Sequence, residues 1–265
     1  MLETNIVYHE DCLSGMDRIP DHCIDAIICD LPYGSTRNSW DIVIPFDKLW
    51  NQYERVIKEN GAIVLFGQGM FTSALMQSNP KMWRYNLIWQ KTQPTGFLNA
   101  ARMPLRSHED ICVFYKKLPV YNPIMTKGKR KVSSAFSKRN CVQTSNYGSH
   151  ALTDYDSDQR YPTSVLCFAK DVQMSSIHPT QKPVALIEWL VKTFTNPGAV
   201  VMDNCMGSGT TAIACLESGR KYIGFEIEEK YFQSIQKRIS DYMTNHKILE
   251  KNDRNSICEQ KGRHR

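Results

Sequence analysis

Strands alternating with amphipathic helices predict an α/β fold with a mostly parallel sheet, doubly wound by helices on its two faces. Three observations support this. Ile24–Cys29 is a short, nearly continuous apolar run, the pattern of a strand covered on both sides. Phe46, Leu49, Trp50, Tyr53 and Ile57 recur at helical spacing, and Asn60-Gly61 supplies a stop. The same strand–helix rhythm returns after Pro183.

In chain order, Ala62–Phe66 reads as the next strand, ended by Gly67, and Met70–Gln77 as a helix. Tyr85–Trp89 and Ile111–Tyr115 read as two further strands. From about 117 to 176 no period is sustained, and Pro, Ser, Asn, Lys and Tyr dominate. A patternless stretch of this length is unusual inside a compact domain and reads as an inserted lobe or a binding segment. Val184, Ile187, Leu190, Val191 and Phe194 then stripe a helix, with Pro183 near its first turn. Ala199–Met202 is a strand, Thr210–Ser218 a helix followed by Gly219, and Tyr222–Phe225 a strand; Phe232, Ile235, Ile239 and Tyr242 mark a last helix. The final residues are polar, mixed in charge and expected to fray. The expected organisation is one domain whose halves occupy 1–116 and 177–244, a segment inserted at 117–176, and a polar tail at 245–265.

The 265 residues suffice for one large α/β domain or for one with an inserted lobe, and a 42% hydrophobic share supports a core. No apolar run is long enough for a bilayer, and the opening MLETNIVYHEDC lacks the basic-then-apolar pattern of a signal peptide. Nine scattered cysteines include no Cys-x-x-Cys pair, so no zinc site is expected. Several, such as Cys29, Cys112 and Cys215, sit in apolar runs and read as reduced, buried thiols of a cytoplasmic protein. The net charge of +6 is unevenly spread: no Asp or Glu lies between Asp110 and Asp154, a stretch that includes Lys127, Lys129, Arg130 and Lys131. A one-signed segment suits a polyanion; a solvated loop is the alternative.

Asp30-Leu31-Pro32-Tyr33-Gly34 follows directly on the first strand. A carboxylate, a stiff turn and an aromatic ring at a strand end suit a flat ring bearing an amino group. Asp30 accepts from the amine, Pro32 fixes φ, and Tyr33 offers a stacking face. A plain Asp-x-Pro turn is the alternative.

Asp203-Asn204-Cys205-Met206-Gly207-Ser208-Gly209-Thr210 follows a second strand, and the strand after it ends in Glu226. The glycines permit a sharp turn and close approach to a ligand. An acid at the next strand tip is placed to grip ribose hydroxyls. Gly207-x-Gly209-x-x-Ala212 also fits a dinucleotide fingerprint. Asp203 weighs against that reading, since it would repel a pyrophosphate; S-adenosylmethionine, with an ammonium, a sulfonium and no phosphate, would be attracted. A structural glycine turn capped by Asp203 is the remaining alternative.

Together the two motifs resemble the amino-group DNA methyltransferases, whose catalytic tetrapeptide is Asp/Asn/Ser-Pro-Pro-Tyr/Phe; Asp30-Leu31-Pro32-Tyr33 departs at its second place. His178-Pro179-Thr180-Gln181-Lys182-Pro183 is similar to the family's segment beside the donor's methionine end. An early catalytic motif and a late glycine loop resemble the β class, across about residues 5–240. The resemblance implies a Rossmann-like methyltransferase fold with an inserted target-recognition segment. It implies that Asp30 and the Leu31 carbonyl accept the target amine's two N–H groups, with Pro32 shaping the turn and Tyr33 stacking on the base. It implies donor contacts from Asp203, Cys205, Gly207, Gly209, Thr210 and Glu226, from His178, Thr180, Gln181 and Lys182, and from Asp11 with its neighbour Cys12. No Pro-Cys nucleophile pair occurs, so the ring-carbon cytosine mechanism has no residue to perform it.

The resemblance further places Arg102, Arg106 and His108 on a loop near substrate, with a surface Arg–Glu pair and a hydrogen-bonded histidine as alternatives. Lys129, Arg130 and Lys131 become candidate phosphate contacts. Asp at position 30 favours adenine N6, with cytosine N4 and a silent nucleic-acid-binding partner as rivals. DNA is the implied partner, in a bacterial or phage-infected cytoplasm, with room for a homodimer and a cognate restriction endonuclease.

Overall fold

The computed structural model describes residues 2–36, 38, 40–134, 154–171 and 181–262, with side chains through Asn245. Among them the order is β1 (Ile6–His9), α1 (Cys12–Met16), β2 (Ile24–Cys29), α2 (Phe46–Val56), β3 (Ile57–Gly67), α3 (Met70–Ser78), β4 (Trp83–Thr95), β5 (Arg106–Phe114), β6 (Thr126–Ser133), β7 (Tyr155–Arg160), β8 (Val165–Phe168), α4 (Val184–Phe194), β9 (Val200–Asp203), α5 (Thr210–Glu217), β10 (Lys221–Glu226) and α6 (Glu229–Gly262). The chain divides into two units, one of Met1–Asn122 with Ser164–Arg265, the other Pro123–Thr163.

The first unit holds an eight-stranded sheet in the order β1-β10-β9-β2-β3-β5-β4-β8. Only β5 runs against its neighbours; every other pairing is parallel. This is the expected doubly wound, Rossmann-like arrangement. Alternate residues of the central strands feed opposite faces, as the two-residue period of a strand requires. Ala26, Ile28 and Val64 meet Leu186, Leu190, Ala214 and Ile235 from α4, α5 and α6. Ile27, Ile63 and Leu65 meet Met16, Leu49, Tyr53 and Leu75 from α1, α2 and α3. Each such Leu or Ile contributes about 1.5–3 kcal/mol when fully buried, so β2 and β3 are anchored from both sides.

The topology decides where a ligand can sit. β2 and β9 are neighbours, in the register Ala26↔Val201 and Ile27↔Met202. From β9 the sheet continues through β10 to β1, and from β2 it continues through β3 in the opposite sense. The loops leaving β2 and β9 therefore diverge and open a crevice at a topological switch point. The acidic turn at Asp30 and the glycine bend after Asp203 thus emerge side by side.

Several expectations need correction. The helix expected to run through Ile57 to Asn60-Gly61 ends at Val56, and Ile57 turns extended (ψ 138°) to begin β3. Its β-branched side chain is buried in the sheet core opposite Ile24. Asn60-Gly61 lies inside β3, in a bulge where β3 advances from Ile57 to Ala62 while β2 advances only from Ile24 to Ala26. β5 begins at Arg106, so Arg106 and His108 stand on a strand rather than a loop. β8 arises within the patternless stretch and adds to the main sheet beside β4. Residues 164–171 thus belong to the first unit, as do 117–122. α6 continues through the polar tail to Gly262, with no proline or earlier glycine to stop it. No described helix is long and apolar enough to cross a membrane.

The second unit contains the antiparallel pair β6–β7. Its Arg130 makes two hydrogen bonds to Asp156, Nε to Oδ1 at 2.6 Å and Nη2 to Oδ2 at 2.5 Å. Lys129 and Lys131 are exposed and make no ion pair among the described residues.

Candidate active site

A cavity of about 730 Å³ occupies the crevice. Its lining brings together Asp11, Cys12, Asp30–Tyr33, Gln181, Lys182, Asp203, Cys205, Gly207, Thr210 and Glu226, contributed by segments distant in sequence. His178 and Thr180 lie outside the described residues. Arg106 reaches the rim, whereas Arg102 and His108 are exposed and do not line the cavity.

Asp30 terminates β2 with both oxygens engaged. Tyr33 donates to Oδ1 at 2.7 Å and Lys182 donates to Oδ2 at 2.5 Å. The Tyr33 ring stacks on Phe71, with centroids 4.6 Å apart and planes at 27°. Lys182 also lies 3.1 Å from Glu109 Oε2, and Lys91 lies 2.6 Å from Glu109 Oε1. An alternating chain Lys91–Glu109–Lys182–Asp30 therefore runs from β4 through β5 to β2. Both lysines are buried, over the faces of Trp89 and Phe66 respectively. Burial pushes the Asp30 carboxyl up, against the opposing pull of Lys182. Burial alone would drive the Lys182 ammonium down, yet Asp30 and Glu109 outweigh it and hold the group charged. Burial likewise opposes ionisation of Glu109, and Lys182 with Lys91 reverses that effect. Lys182 and Glu109 are thus kept charged by their neighbours, and Lys182 offsets part of the burial cost at Asp30.

One contact was not foreseen: the Nζ of Lys182 sits on the Asp30 carboxylate. Lys91 and Glu109 escaped sequence reasoning because nothing in their local patterns marks them as partners across strands.

The glycine bend is held by two carboxylates. Asp203 is buried; its Oδ1 accepts from the Cys205 N–H at 3.1 Å and its Oδ2 from the Thr211 hydroxyl at 2.6 Å. Glu226 accepts from the Gly207 N–H at 2.8 Å and the Glu228 N–H at 2.9 Å. Gly207 and Gly209 both take positive φ (55° and 77°), and a Cβ on Gly209 would come within 3.0 Å of Ile235. Asp203 therefore does what the structural-turn alternative asks of it while still lining the cavity. Asn204, also unforeseen, accepts from Tyr53 of α2 at 2.5 Å and faces the Cys12 and Cys205 sulfurs at 3.6 and 3.5 Å. Asp11 caps α1, its Oδ1 accepting from the Ser14 N–H at 3.0 Å.

Burial pushes the Asp203 carboxyl up to about 6 from an ordinary 3.8. The folded state therefore holds this proton more tightly than the unfolded chain. Its contribution to stability is full below the unfolded value and is lost as pH rises through about 6. A displacement of roughly two units corresponds to about 3 kcal/mol. The melting temperature of Asp203→Asn relative to the unchanged chain should rise between pH 4 and pH 7, other carboxylates cancelling in the difference. A difference that is flat or falls over that range would contradict this placement.

The loop after Tyr33 closes one side of the cavity. Asp41 accepts from the backbone N–H groups of Gly34, Ser35 and Thr36 at 2.8, 2.9 and 2.6 Å. Trp40 meets Tyr231 edge-on at 6.1 Å. Gln181 presents a buried Oε1 that has no hydrogen-bond partner among the described residues.

An acid–Pro–aromatic turn and a glycine bend thus stand side by side at the switch point of a Rossmann-like sheet. A family model described as DNA methylase matches residues 24–237, and the chain belongs to that family, the DNA N6/N4 amino-methyltransferases. It is 26% identical to the Type II methyltransferase M.HinfI of Haemophilus influenzae, over 93% of this chain and 71% of that protein. Among solved structures, an M1.HpyAVI–SAM complex superposes with TM-score 0.60 and 24% identity, covering 88% of this chain and 98% of the other. The PvuII DNA methyltransferase, described as cytosine-N4-specific, superposes with TM-score 0.65 and 14% identity, covering 89% and 86%.

Proposed function

We propose that this protein transfers a methyl group from S-adenosylmethionine to the N6 amino group of adenine in DNA. The observation behind this reading is the Asp30 carboxyl, paired with Lys182 in the lining of a cavity that also contains the glycine bend.

The donor fits the residues present. Gln181 Oε1 is a buried acceptor without a partner among the described residues, suited to an ammonium or hydroxyl. The Glu226 oxygens each spend one lone pair on a backbone N–H and retain another for ribose hydroxyls. Asp11 and Asp203 add negative potential without repelling a phosphate-free ligand. When bound, S-adenosylmethionine supplies an electrophilic methyl on a sulfonium.

An exocyclic amino nitrogen is a weak nucleophile because its lone pair is conjugated with the ring. Asp30 and the Leu31 carbonyl accept its two N–H bonds, which favours a pyramidal nitrogen with a freed lone pair. In-line displacement then depends chiefly on alignment. Positive charge grows on nitrogen as the methyl arrives, and Asp30 stabilises it. Glu109 matters here too: it shares Lys182, so that the ammonium beside Asp30 is not an unscreened cation facing that growing charge. Tyr33, held on Asp30 and against Phe71, supplies a ring on which an extruded base stacks.

The likeness to the PvuII enzyme favours cytosine N4 as the second reading, since the same acceptors would serve that amine. Incubation with donor and plasmid, followed by digestion to nucleosides and mass spectrometry, distinguishes the two. N6-methyladenine is expected; N4-methylcytosine would replace the base assignment, and neither product would remove the function.

The second unit supplies phosphate contacts through Lys129 and Lys131, while Arg130 is already paired with Asp156. Replacing both lysines by glutamine should reduce the salt slope of DNA affinity by about two, and Arg130→Gln should change it little. An unchanged slope in the double variant would remove this strand from the interface.

A further inference from the structure

The connection between β4 and β5 exposes large apolar side chains where the proposed reaction has no use for them. Phe97 and Leu98 are 82% and 97% exposed, and Met103 is 55% exposed. The backbone beneath them is nonetheless folded. Gly96, in the left-handed region at φ 90°, opens a 3-10 turn over Phe97–Asn99. The Asn99 N–H donates to Gly96 O at 3.0 Å, and the Arg102 N–H donates to Asn99 O at 2.9 Å. The side chains are presented outward from a built turn.

The position of this tip identifies its partner. β5 leaves it at Arg106, which lies against Gly96, donates to Gln68 at 3.2 Å and reaches the cavity rim. Three residues further along β5 is Glu109, which holds Lys182. The apolar tip thus rises from the edge of the cavity that would receive an extruded base. Its charge is of one sign: no Asp or Glu occurs between Glu59 and Glu109, while Arg102 and Arg106 flank the apolar residues and are exposed. Apolar side chains bracketed by arginines match a base stack bracketed by phosphates.

We propose that the β4–β5 tip is a wedge that enters duplex DNA at the target step. Phe97 and Leu98 fill the space vacated by the extruded base, with Arg102 and Arg106 on adjoining phosphates. The proposal rests on the reading that this chain methylates a base in DNA. It assigns the tip the task of opening the duplex, which is separate from methyl transfer. A wedge is needed only where the target is paired and stacked, and becomes dispensable where the base is already loose.

The test uses the full chain and its Phe97→Ser/Leu98→Ser variant, whose changed side chains are exposed. Two synthetic duplexes contain the sequence that plasmid mapping shows to be modified, one fully paired and one with an abasic site opposite the target. On the paired duplex the variant should lose at least about tenfold in turnover, the equivalent of the lower end of an unstacking cost. A 2-aminopurine at the target should lose its fluorescence rise. On the abasic duplex the variant should return to within about threefold of the unchanged chain. Equal turnover on the paired duplex would overturn the wedge, and so would an equal loss on both duplexes. A dimer that the variant converts to monomer, with no rescue on the abasic duplex, would make the tip a contact between copies. Absence of transfer by the unchanged chain on either duplex would overturn the proposed function and the wedge with it.

Discussion

Asp30→Ala should bind the donor within a few-fold of the unchanged chain yet lose turnover by at least about 10²–10³-fold. The carboxylate caps β2, and its contacts are to Tyr33 and Lys182 rather than to the glycine bend. The bend itself is tied by Asp203 and Glu226, which the substitution leaves in place. Titration calorimetry reads donor affinity, and single-turnover transfer to plasmid DNA reads chemistry. Turnover within a few-fold of normal would remove Asp30 from the reaction. A collapse of donor affinity would mean that the acidic turn supports the cofactor instead of the amine.

Lys182→Met should be the most damaging change to a non-reacting group. It removes the cation between Asp30 and Glu109 and leaves two buried carboxylates facing each other, which costs about 3–5 kcal/mol. One of them then takes up a proton. In the unchanged chain burial already pushes Asp30 upward against the pull of Lys182. Without Lys182 the carboxyl rises further, and the acid limb of the pH–turnover profile moves to higher pH. Glu109 and Asp203 face the same carboxylate and push it the same way once the lysine is gone, while the Tyr33 hydroxyl, donating to it, opposes them. Lys182→Arg should restore part of the turnover and return the acid limb toward its normal place, whereas a merely structural role would leave the limb unmoved. If Lys182→Met weakened donor binding while saturated turnover stayed normal, Lys182 would belong to the donor's methionine end, as the resemblance implied.

What the sequence revealed follows the range of the interactions involved. β2 and its acidic turn were legible because a buried strand is nearly continuous in apolar residues and its end is marked by Pro32. The glycine bend was legible because positive φ at Gly207 and Gly209 leaves a local trace. Ile57 was misread because its helical spacing from Tyr53 and its fitness for a strand coexist, and the sheet core decides between them. β8 left almost no mark, since Leu166 is its only buried residue. The strand at Ile111–Tyr115 was legible but its reversed direction was not, because direction within a sheet is fixed by pairing between distant segments. The same holds for the site: Lys91, Glu109, Lys182 and Asp30 lie on four separate segments, and only packing turns them into one alternating chain. Asp203 was correctly placed in the bend, but its engagement with Thr211 and the Cys205 N–H depends on how α5 returns across it.

The central claim is that Asp30 prepares an exocyclic amino nitrogen of DNA for a methyl group delivered from beside the glycine bend. Single-molecule sequencing of plasmid incubated with S-adenosylmethionine and either the unchanged chain or Asp30→Ala tests it most directly. The account predicts modified adenines at one fixed sequence in the first sample and none in the second. Modification at cytosine C5, or modified adenines that persist in the Asp30→Ala sample, would contradict it.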